Sequence, residues 1–267
     1  MGNTSRGFTI IETVLFLAIS GLLILTIVGG AGVSINIQRY RDGVESLKSK
    51  IQDQYAYVTN VENSRSSDQL CGANAKPVYD ANGEIRGQSK CMITGKYMRI
   101  SDTNVATYTV LAYETSDVIP NGASDIDILK NNYNYNTSAT PDDDVELDWG
   151  TSLVWPTTLG IESPIGATPR TMGILFLKSP NSGQTYTFTD NNVPAKNSVS
   201  SATFAPMISN TVNSKPGRAA RVLCIASNGL FLNANQSIYI GQNASGPTAI
   251  EVTTNEVLTS KGTGTQC

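Results

Sequence analysis

Arg6-Gly7-Phe8-Thr9-Ile10-Ile11-Glu12 opens a long apolar stretch, which continues through Thr13 and a largely apolar run from Val14 to Val28. Glu12 is the only acid in it. A carboxylate at membrane depth costs about 3 kcal/mol or more unless another group neutralises it. A helix that serves only as an anchor does not need such a residue. A helix that docks against identical helices could use it.

Composition restricts the functions open to the chain. Its 267 residues suffice for one helical stalk and one sizeable head, and 15% of them are charged. The formal net charge of −3 does not favour nucleic acid as a partner. The sequence has no histidine, which excludes Ser-His-Asp and Cys-His catalysis and histidine-ligated metal sites. We therefore predict that the protein is not an enzyme and uses no cofactor.

A secretory signal peptide is the first interpretation of the N-terminal segment. Arg6 would supply the basic region, Val14–Val28 the apolar region, and the small residues at 29–32 a cleavage site. Glu12 at the front of the apolar segment argues against this interpretation, as does the helical pattern that continues beyond the small residues.

A plain transmembrane anchor is the second interpretation. Phe8–Val28 supplies 21 residues, enough to span about 30 Å of hydrocarbon. Arg6 on the cytoplasmic side agrees with the positive-inside rule. Arg39 and Arg41, on the far side of the span, weaken that argument.

The third interpretation rests on a motif. Gly7-Phe8-Thr9-Ile10-Ile11-Glu12-Thr13-Val14-Leu15 resembles the class III signal of type IV pilins and type II secretion pseudopilins. In that family a membrane prepilin peptidase cuts after the Gly and methylates the new N-terminal Phe, and Glu is the fifth residue after the cut. The resemblance implies that residues 1–7 are a cleaved leader. It also implies a polymer with itself or with other pilins, built by a pilus assembly platform from a membrane-inserted precursor.

Electrostatics provides a physical reason for the spacing between Phe8 and Glu12. Glu12 lies four residues beyond Phe8, about 6 Å along a helix axis. At neutral pH an α-amine is largely cationic and a carboxylate is anionic. A neighbouring subunit shifted by one assembly step could therefore offer its Phe8 amine to Glu12. Such a pair fixes register more reliably than it adds stability.

Helical periodicity continues past the apolar run. Apolar residues recur at steps of three or four from Ile37 onward, as one face of a helix requires. We predict a helix from about Phe8 to Asn63, with residues 8–28 in the membrane or filament core and residues 64–267 as an extracellular head. The predicted buried face consists of Val33, Ile37, Tyr40, Val44, Leu47, Ile51, Tyr55, Val58 and Val61.

Four glycines interrupt this helical pattern: Gly21, Gly29, Gly30 and Gly32. Each costs about 1 kcal/mol relative to Ala in a helix interior. Many type IV pilins have a helix breaker near this point, often Pro, whereas this chain has no Pro before Pro77. One interpretation is a segment that loses helicity in the assembled filament. The other is that small residues let helices approach closely.

The head is predicted to be rich in β-strands. With the preceding long helix this gives an α+β fold whose sheet is mainly antiparallel. Ser227-Asn228-Gly229 is a hairpin signal. The predicted strands are Tyr97–Ile100, Ala106–Tyr113, Val145–Trp149, Met172–Leu177, Thr185–Thr189, Arg221–Ala226, Leu230–Leu232, Ser237–Ile240 and Ile250–Val252.

Cys71, Cys91, Cys224 and Cys267 are the cysteines, and no two of them form a CxxC pair. Outside the cytoplasm disulfides persist, and four cysteines allow three pairings. We favour Cys71–Cys91, which closes a loop worth about 3 kcal/mol, and Cys224–Cys267, which ties Cys267 to a predicted strand. Free thiols are the alternative.

Three local motifs in the head each allow a purely structural interpretation and a functional one. The acids Asp142, Asp143, Asp144, Glu146 and Asp148 form either the wet face of a strand or a calcium site, with Asp142, Asp144, Glu146 and Asp148 as candidate ligands. Asn131–Asn136 is either a polar surface loop or an adhesive one. Lys215, Arg218 and Arg221 are too few bases to predict binding of an anionic polymer.

The resemblance therefore leads us to expect a structural pilin or pilin-like subunit, inserted in the cytoplasmic membrane as a precursor and extracellular after assembly. A minor pilin, adhesin or pseudopilin at a filament tip is one alternative, serving adhesion, DNA uptake or secretion. A membrane-anchored surface protein that never assembles is another.

Overall fold

One continuous helix, α1 (Ile10–Thr59), is 50 residues long, or about 75 Å. The computed structural model describes residues 9–60, 69–79, 89, 91–162, 170–191, 193, 201–208, 218–227 and 236–267. The predicted helix ends at Phe8 and Asn63 lie outside these residues, as do Gly7, Val61, Lys215, Asn228, Gly229 and the predicted strand Leu230–Leu232. Within them, the predicted helix is confirmed.

The remaining elements follow α1 in short succession. The strands are β1 (Gln69–Cys71), β2 (Pro77–Tyr79), β3 (Cys91–Ser101), β4 (Asn104–Glu114), β5 (Tyr133–Thr137), β6 (Asp143–Glu146), β7 (Thr151–Val154), β8 (Thr158–Leu159), β9 (Thr171–Lys178), β10 (Thr185–Asp190), β11 (Arg221–Ser227), β12 (Gln236–Ile240), β13 (Ile250–Thr253) and β14 (Thr265–Gln266). The short helices are α2 (Asp125–Asn131), α3 (Ser201–Met207) and α4 (Asn255–Ser260).

Two antiparallel sheets form the head. The first has the order β10-β9-β3-β4-β5, with β6 also paired to β4, and the second has the order β13-β12-β11-β7. Short ribbons of β1 with β2 and of β8 with β14 complete the pairing between described strands. The predicted α+β class and the antiparallel head are confirmed.

The second half of α1 packs against both sheets. Its buried side chains, Tyr40, Val44, Leu47, Ile51, Tyr55 and Val58, join residues of both sheets in one apolar cluster. Polar anchors hold each end of this half. The Tyr40 hydroxyl donates to the Ile225 carbonyl at 2.7 Å and accepts from the Gln236 N–H at 2.7 Å. The Tyr55 hydroxyl lies 2.7 Å from the Thr187 hydroxyl. The predicted face is correct from Tyr40 to Val58, while Val33 is exposed.

A second core lies away from α1. It contains Tyr97, Leu129, Phe188 and Phe204 and is shared between the first sheet and the short helices α2 and α3. The first sheet is thus buried on both faces. Strands buried on both faces read as continuous apolar runs rather than as alternating ones, and β9 shows this along Met172–Leu177.

Two local predictions about the head are wrong. The Asn/Tyr run is mostly strand β5 rather than a surface loop, because the Tyr135 ring is buried against Phe204 and its hydroxyl donates to the Leu129 carbonyl at 2.6 Å. The strand predicted over Val145–Trp149 ends at Glu146, and a 3₁₀ turn at Asp148–Gly150 follows. The Trp149 side chain is consequently exposed rather than buried.

The structure pairs Cys71 with Cys91 and Cys224 with Cys267, the pairing that the sequence favours. The second bridge joins Cys267 to β11, and both of its cysteines share an apolar cluster with the buried Leu258 of α4. The Asn255 side chain also holds Cys267 in place: it accepts from the Cys267 N–H at 2.9 Å and donates to its carbonyl at 3.1 Å.

We expect the double variant Cys224→Ser, Cys267→Ser to lose about 4 kcal/mol of unfolding free energy, because a 43-residue separation is no longer closed in the unfolded chain. Thermal unfolding monitored by circular dichroism measures this loss, with Cys71→Ser, Cys91→Ser as the comparison at about 3 kcal/mol. Peptide mapping without reductant checks the pairing directly. A peptide joining Cys71 to Cys224 would contradict it.

Candidate functional site: the exposed half of α1

The first half of α1 is apolar and uncovered. Exposed fractions are 83% for Ile10, 71% for Phe16 and 73% for Leu25. An 18-residue window of this helix has a mean hydropathy of 2.5, with none of it buried. By length and composition the helix can span a membrane. An apolar surface of this extent marks a membrane or protein contact.

Three hydroxyl groups within this half are satisfied by the helix itself. Thr13 donates to the Ile10 carbonyl at 2.9 Å, Ser20 to the Phe16 carbonyl at 2.7 Å and Thr26 to the Leu23 carbonyl at 2.9 Å. These residues therefore enter an apolar environment without an unpaired hydroxyl donor. Glu12 differs from them, because it is the only charged side chain between Thr9 and Gln38.

Glu12 lies in the first turn of α1. Its backbone N–H is 3.4 Å from the hydroxyl oxygen of the N-cap residue Thr9 and 3.1 Å from the Thr9 carbonyl oxygen. Thr9-Ile10-Ile11-Glu12 has the spacing of a capping box, a signal that our sequence interpretation missed. A carboxylate here also interacts favourably with the helix dipole. These two contributions stabilise the helix end but leave the charge without a cationic partner among the described residues.

The four glycines sit in regular helix. Apart from the neighbouring backbone of the helix itself, no heavy atom lies within 4 Å of a Cβ built on Gly21, Gly29, Gly30 or Gly32, and α1 is continuous through all of them. The single chain therefore offers open space where another helix could approach. Loss of helicity in a filament and close approach of helices both stay predictions.

The turn at Asp148–Gly150 fixes the base of the head to α1. A Cβ on Gly43 would lie 3.0 Å from the Asp148 carbonyl oxygen, so only glycine allows this approach without displacement. The Ser46 hydroxyl donates to the Asp148 carboxylate. Trp149 has φ 57° and ψ 28°, and the Arg39 guanidinium lies 5.0 Å from its ring centroid. Sequence alone gives no signal for this pairing, which depends on tertiary contact.

The candidate calcium ligands do not converge. Asp142 pairs with Lys96 at 2.8 Å, Asp144 accepts from Asn104 at 2.7 Å, and Asp148 accepts from Ser46. Among the residues that the structure describes, no three acidic, cysteine or histidine side chains are placed to hold a metal ion.

Arg218 and Arg221, the two bases of the Lys215, Arg218 and Arg221 group that the structure describes, both contact other residues of the head. Arg221 is 6% exposed and donates to the Thr189 hydroxyl at 3.0 Å. Arg218 lies 4.7 Å from the centroid of the Tyr186 ring and donates to the Asn243 carbonyl at 3.1 Å. Neither contact forms a patch for an anionic polymer.

A buried ionic cluster is the largest feature that sequence reasoning missed. Glu162 and Arg170 are fully buried at the side chain, and their charged groups lie 2.9 Å apart. Arg170 also donates to the Val222 carbonyl at 2.9 Å and to the Asn191 side chain at 3.1 Å. Burial lowers the pKa of Arg170, and the neighbouring Glu162 carboxylate opposes that shift. No pattern in the sequence marks these two residues as partners.

Comparison with known proteins yields no family model, curated protein or solved structure that matches the chain.

Proposed function

We propose that the chain is a structural subunit, a pilin or pilin-like protein, which is processed after Gly7 and polymerises through α1. The observation that carries the proposal is the position of Glu12. It is a lone charge in the first turn of an apolar helix surface that the head leaves uncovered. The motif from Gly7 to Leu15, which includes Glu12, supports the same proposal through its resemblance to the pilin signal.

Assembly would bury the apolar half of α1 against the same half of neighbouring copies. Each side chain as large as Leu or Phe contributes about 1.5–3 kcal/mol when it is fully removed from water. In the membrane this surface already faces lipid, so packing and the Glu12 contact must decide which helices associate and in what register. The Phe8 amine of a neighbouring copy would supply the missing cation.

The hydroxyl groups that are hydrogen-bonded within α1 fit this proposal. Thr13, Ser20 and Thr26 are bonded within the helix, so they place no polar demand on a neighbour. Glu12 is the only charged side chain in this half of α1, and we propose that its cationic partner comes from another copy of the chain. A helix that serves only as an anchor would gain nothing from such a charge.

The mature N-terminus tests the proposal. We expect mass spectrometry of the protein from its native membrane to find a chain that begins with methylated Phe8. The anchor interpretation predicts an intact N-terminal segment and no polymer. A chain that retains residues 1–7 and never forms filaments would overturn the proposal.

Substitution at the proposed cleavage site gives a second test. We expect Gly7→Val to leave the protein in the membrane as unprocessed precursor, because a β-branched side chain restricts the backbone at the scissile bond. Gel mobility and mass spectrometry measure the fraction processed. The matched control is Gly2→Val, five residues upstream, which should be processed as the unmodified chain is.

A further inference from the structure

We propose that the Trp149–Arg39 pair is a membrane-contact site, at which the base of the head rests on the phospholipid headgroups around α1. The inference needs only that α1 spans a bilayer. It does not depend on polymerisation. The pair consists of the exposed Trp149 ring and the Arg39 guanidinium 5.0 Å from its centroid.

The way Trp149 is presented is the first argument. The residue is 54% exposed, and its backbone occupies the left-handed region at φ 57°, followed by Gly150 at φ 67°. A non-glycine residue in that region costs about 1–2 kcal/mol and persists only where its surroundings impose it. The surroundings here are the close approach at Gly43 and the Ser46–Asp148 hydrogen bond. The fold thus holds a large apolar ring in water rather than burying it.

Position along α1 is the second argument. Val14–Val33 is a stretch of 20 residues without a charge, about 30 Å long, which equals the thickness of a hydrocarbon core. Arg39 lies six residues farther, about 9 Å beyond that core. The headgroup layer on each side of the core is about 5–7.5 Å thick, so the Arg39 backbone lies about 2–4 Å outside it, and its long side chain can extend back to the headgroups. This placement belongs to the unassembled chain in the membrane, whereas the burial of Glu12 proposed above belongs to the assembled polymer.

Chemistry is the third argument. Tryptophan is enriched at membrane interfaces because its ring is apolar and its indole N–H is polar. Arg39 and Arg41 are both exposed and can donate to phosphate oxygens. From Arg39 to Lys50 the helix carries four bases and two acids, so this part of α1 is net positive. A phospholipid surface matches the combination of an indole ring and guanidinium groups.

Tryptophan emission tests the proposal in the full-length chain. We reconstitute it in nanodiscs of phosphatidylcholine and phosphatidylglycerol, with or without phosphatidylcholine brominated near the top of its acyl chains. The chain has two tryptophans, so bromine should quench the share of the emission that comes from Trp149 and leave the share that comes from Trp155. The variant Trp149→Phe, which keeps Trp155, should lose almost none.

A displaced tryptophan is the matched control. Tyr57 is 59% exposed on the same helix but lies about 27 Å farther from the bilayer than Arg39. The variant Trp149→Phe, Tyr57→Trp should therefore resist bromine quenching. Equal quenching of that variant, or no quenching of the unmodified chain, would overturn the proposal.

Trp149 could also contact a second copy of the chain instead of lipid, and the experiment distinguishes these two outcomes. Contact with a second copy would blue-shift the Trp149 emission in proportion to the number of chains per disc, with no effect of bromine, and would also overturn the lipid assignment. None of these measurements requires a filament. Failure of this inference is therefore distinguishable from failure of the proposed assembly.

Discussion

Filament yield should fall about 100-fold or more when Glu12 is replaced by Ala. The substitution leaves a neighbour's Phe8 amine buried without its carboxylate, and removing one partner of a buried ion pair costs about 3–5 kcal/mol. Each 1.4 kcal/mol changes an equilibrium constant tenfold. Sheared-filament yield, normalised to membrane-bound subunit, measures the effect.

Glu12→Gln separates the charge from the helix cap. The Glu12 contact with Thr9 involves the backbone N–H, which Gln retains, and cap effects amount to only about 1 kcal/mol. We therefore expect Gln to assemble nearly as poorly as Ala, and Asp to assemble better than either. Normal filament yield from Glu12→Gln would show that the negative charge is not needed.

Ser20→Ala provides a control on the same helix. Its hydroxyl is bonded to the Phe16 carbonyl and therefore offers a neighbour nothing essential. We expect its filament yield to remain within about twofold of the unmodified chain, since surface substitutions away from special features usually change free energies by under about 0.5 kcal/mol. A loss as large as that of Glu12→Ala would mean that the whole helix surface, not its charge, controls assembly.

Local patterns in the sequence were sufficient to predict α1 and most of the main strands. The three-to-four spacing from Ile37 to Val58 identified the face that the head buries, and the runs at Met172–Leu177 and Arg221–Ala226 identified two central strands. These patterns can be recognised in the sequence because each depends on the spacing of residues within a single helix or strand. The lone Glu12 was visible for the same reason.

What the sequence could not show depends on contacts between distant segments. Tyr135 looked like part of a polar loop because the pocket formed with Phe204 and Leu129 appears only after folding. Trp149 was placed in a strand because the predicted alternation was extended three residues past Glu146, where the strand ends. No pattern in the sequence links Glu162 to Arg170, whereas the fold brings the two side chains together in its interior.

Glu162→Gln is the substitution in the head from which we expect the largest loss of stability, about 3–5 kcal/mol. The Glu162 carboxylate lies 2.9 Å from the Arg170 guanidinium and 3.6 Å from that of Arg221, and it accepts the Val222 N–H at 2.8 Å. Gln can still accept one hydrogen bond, but it removes the negative charge between two buried cations. Each kcal/mol shifts the midpoint of a domain of this size by about 2–4 °C, so the thermal unfolding midpoint in detergent should fall by about 6–20 °C.

The same chemical change at the surface gives the comparison. Glu251 pairs with Lys261 at 2.8 Å, but its side chain is 50% exposed. Exposed pairs contribute about 0–1 kcal/mol, because water solvates the separated charges almost as well. Glu251→Gln should therefore shift the midpoint by only a few degrees at most. If both variants unfold at the same temperature, the interior pair contributes no more to the stability of the head than the exposed pair does.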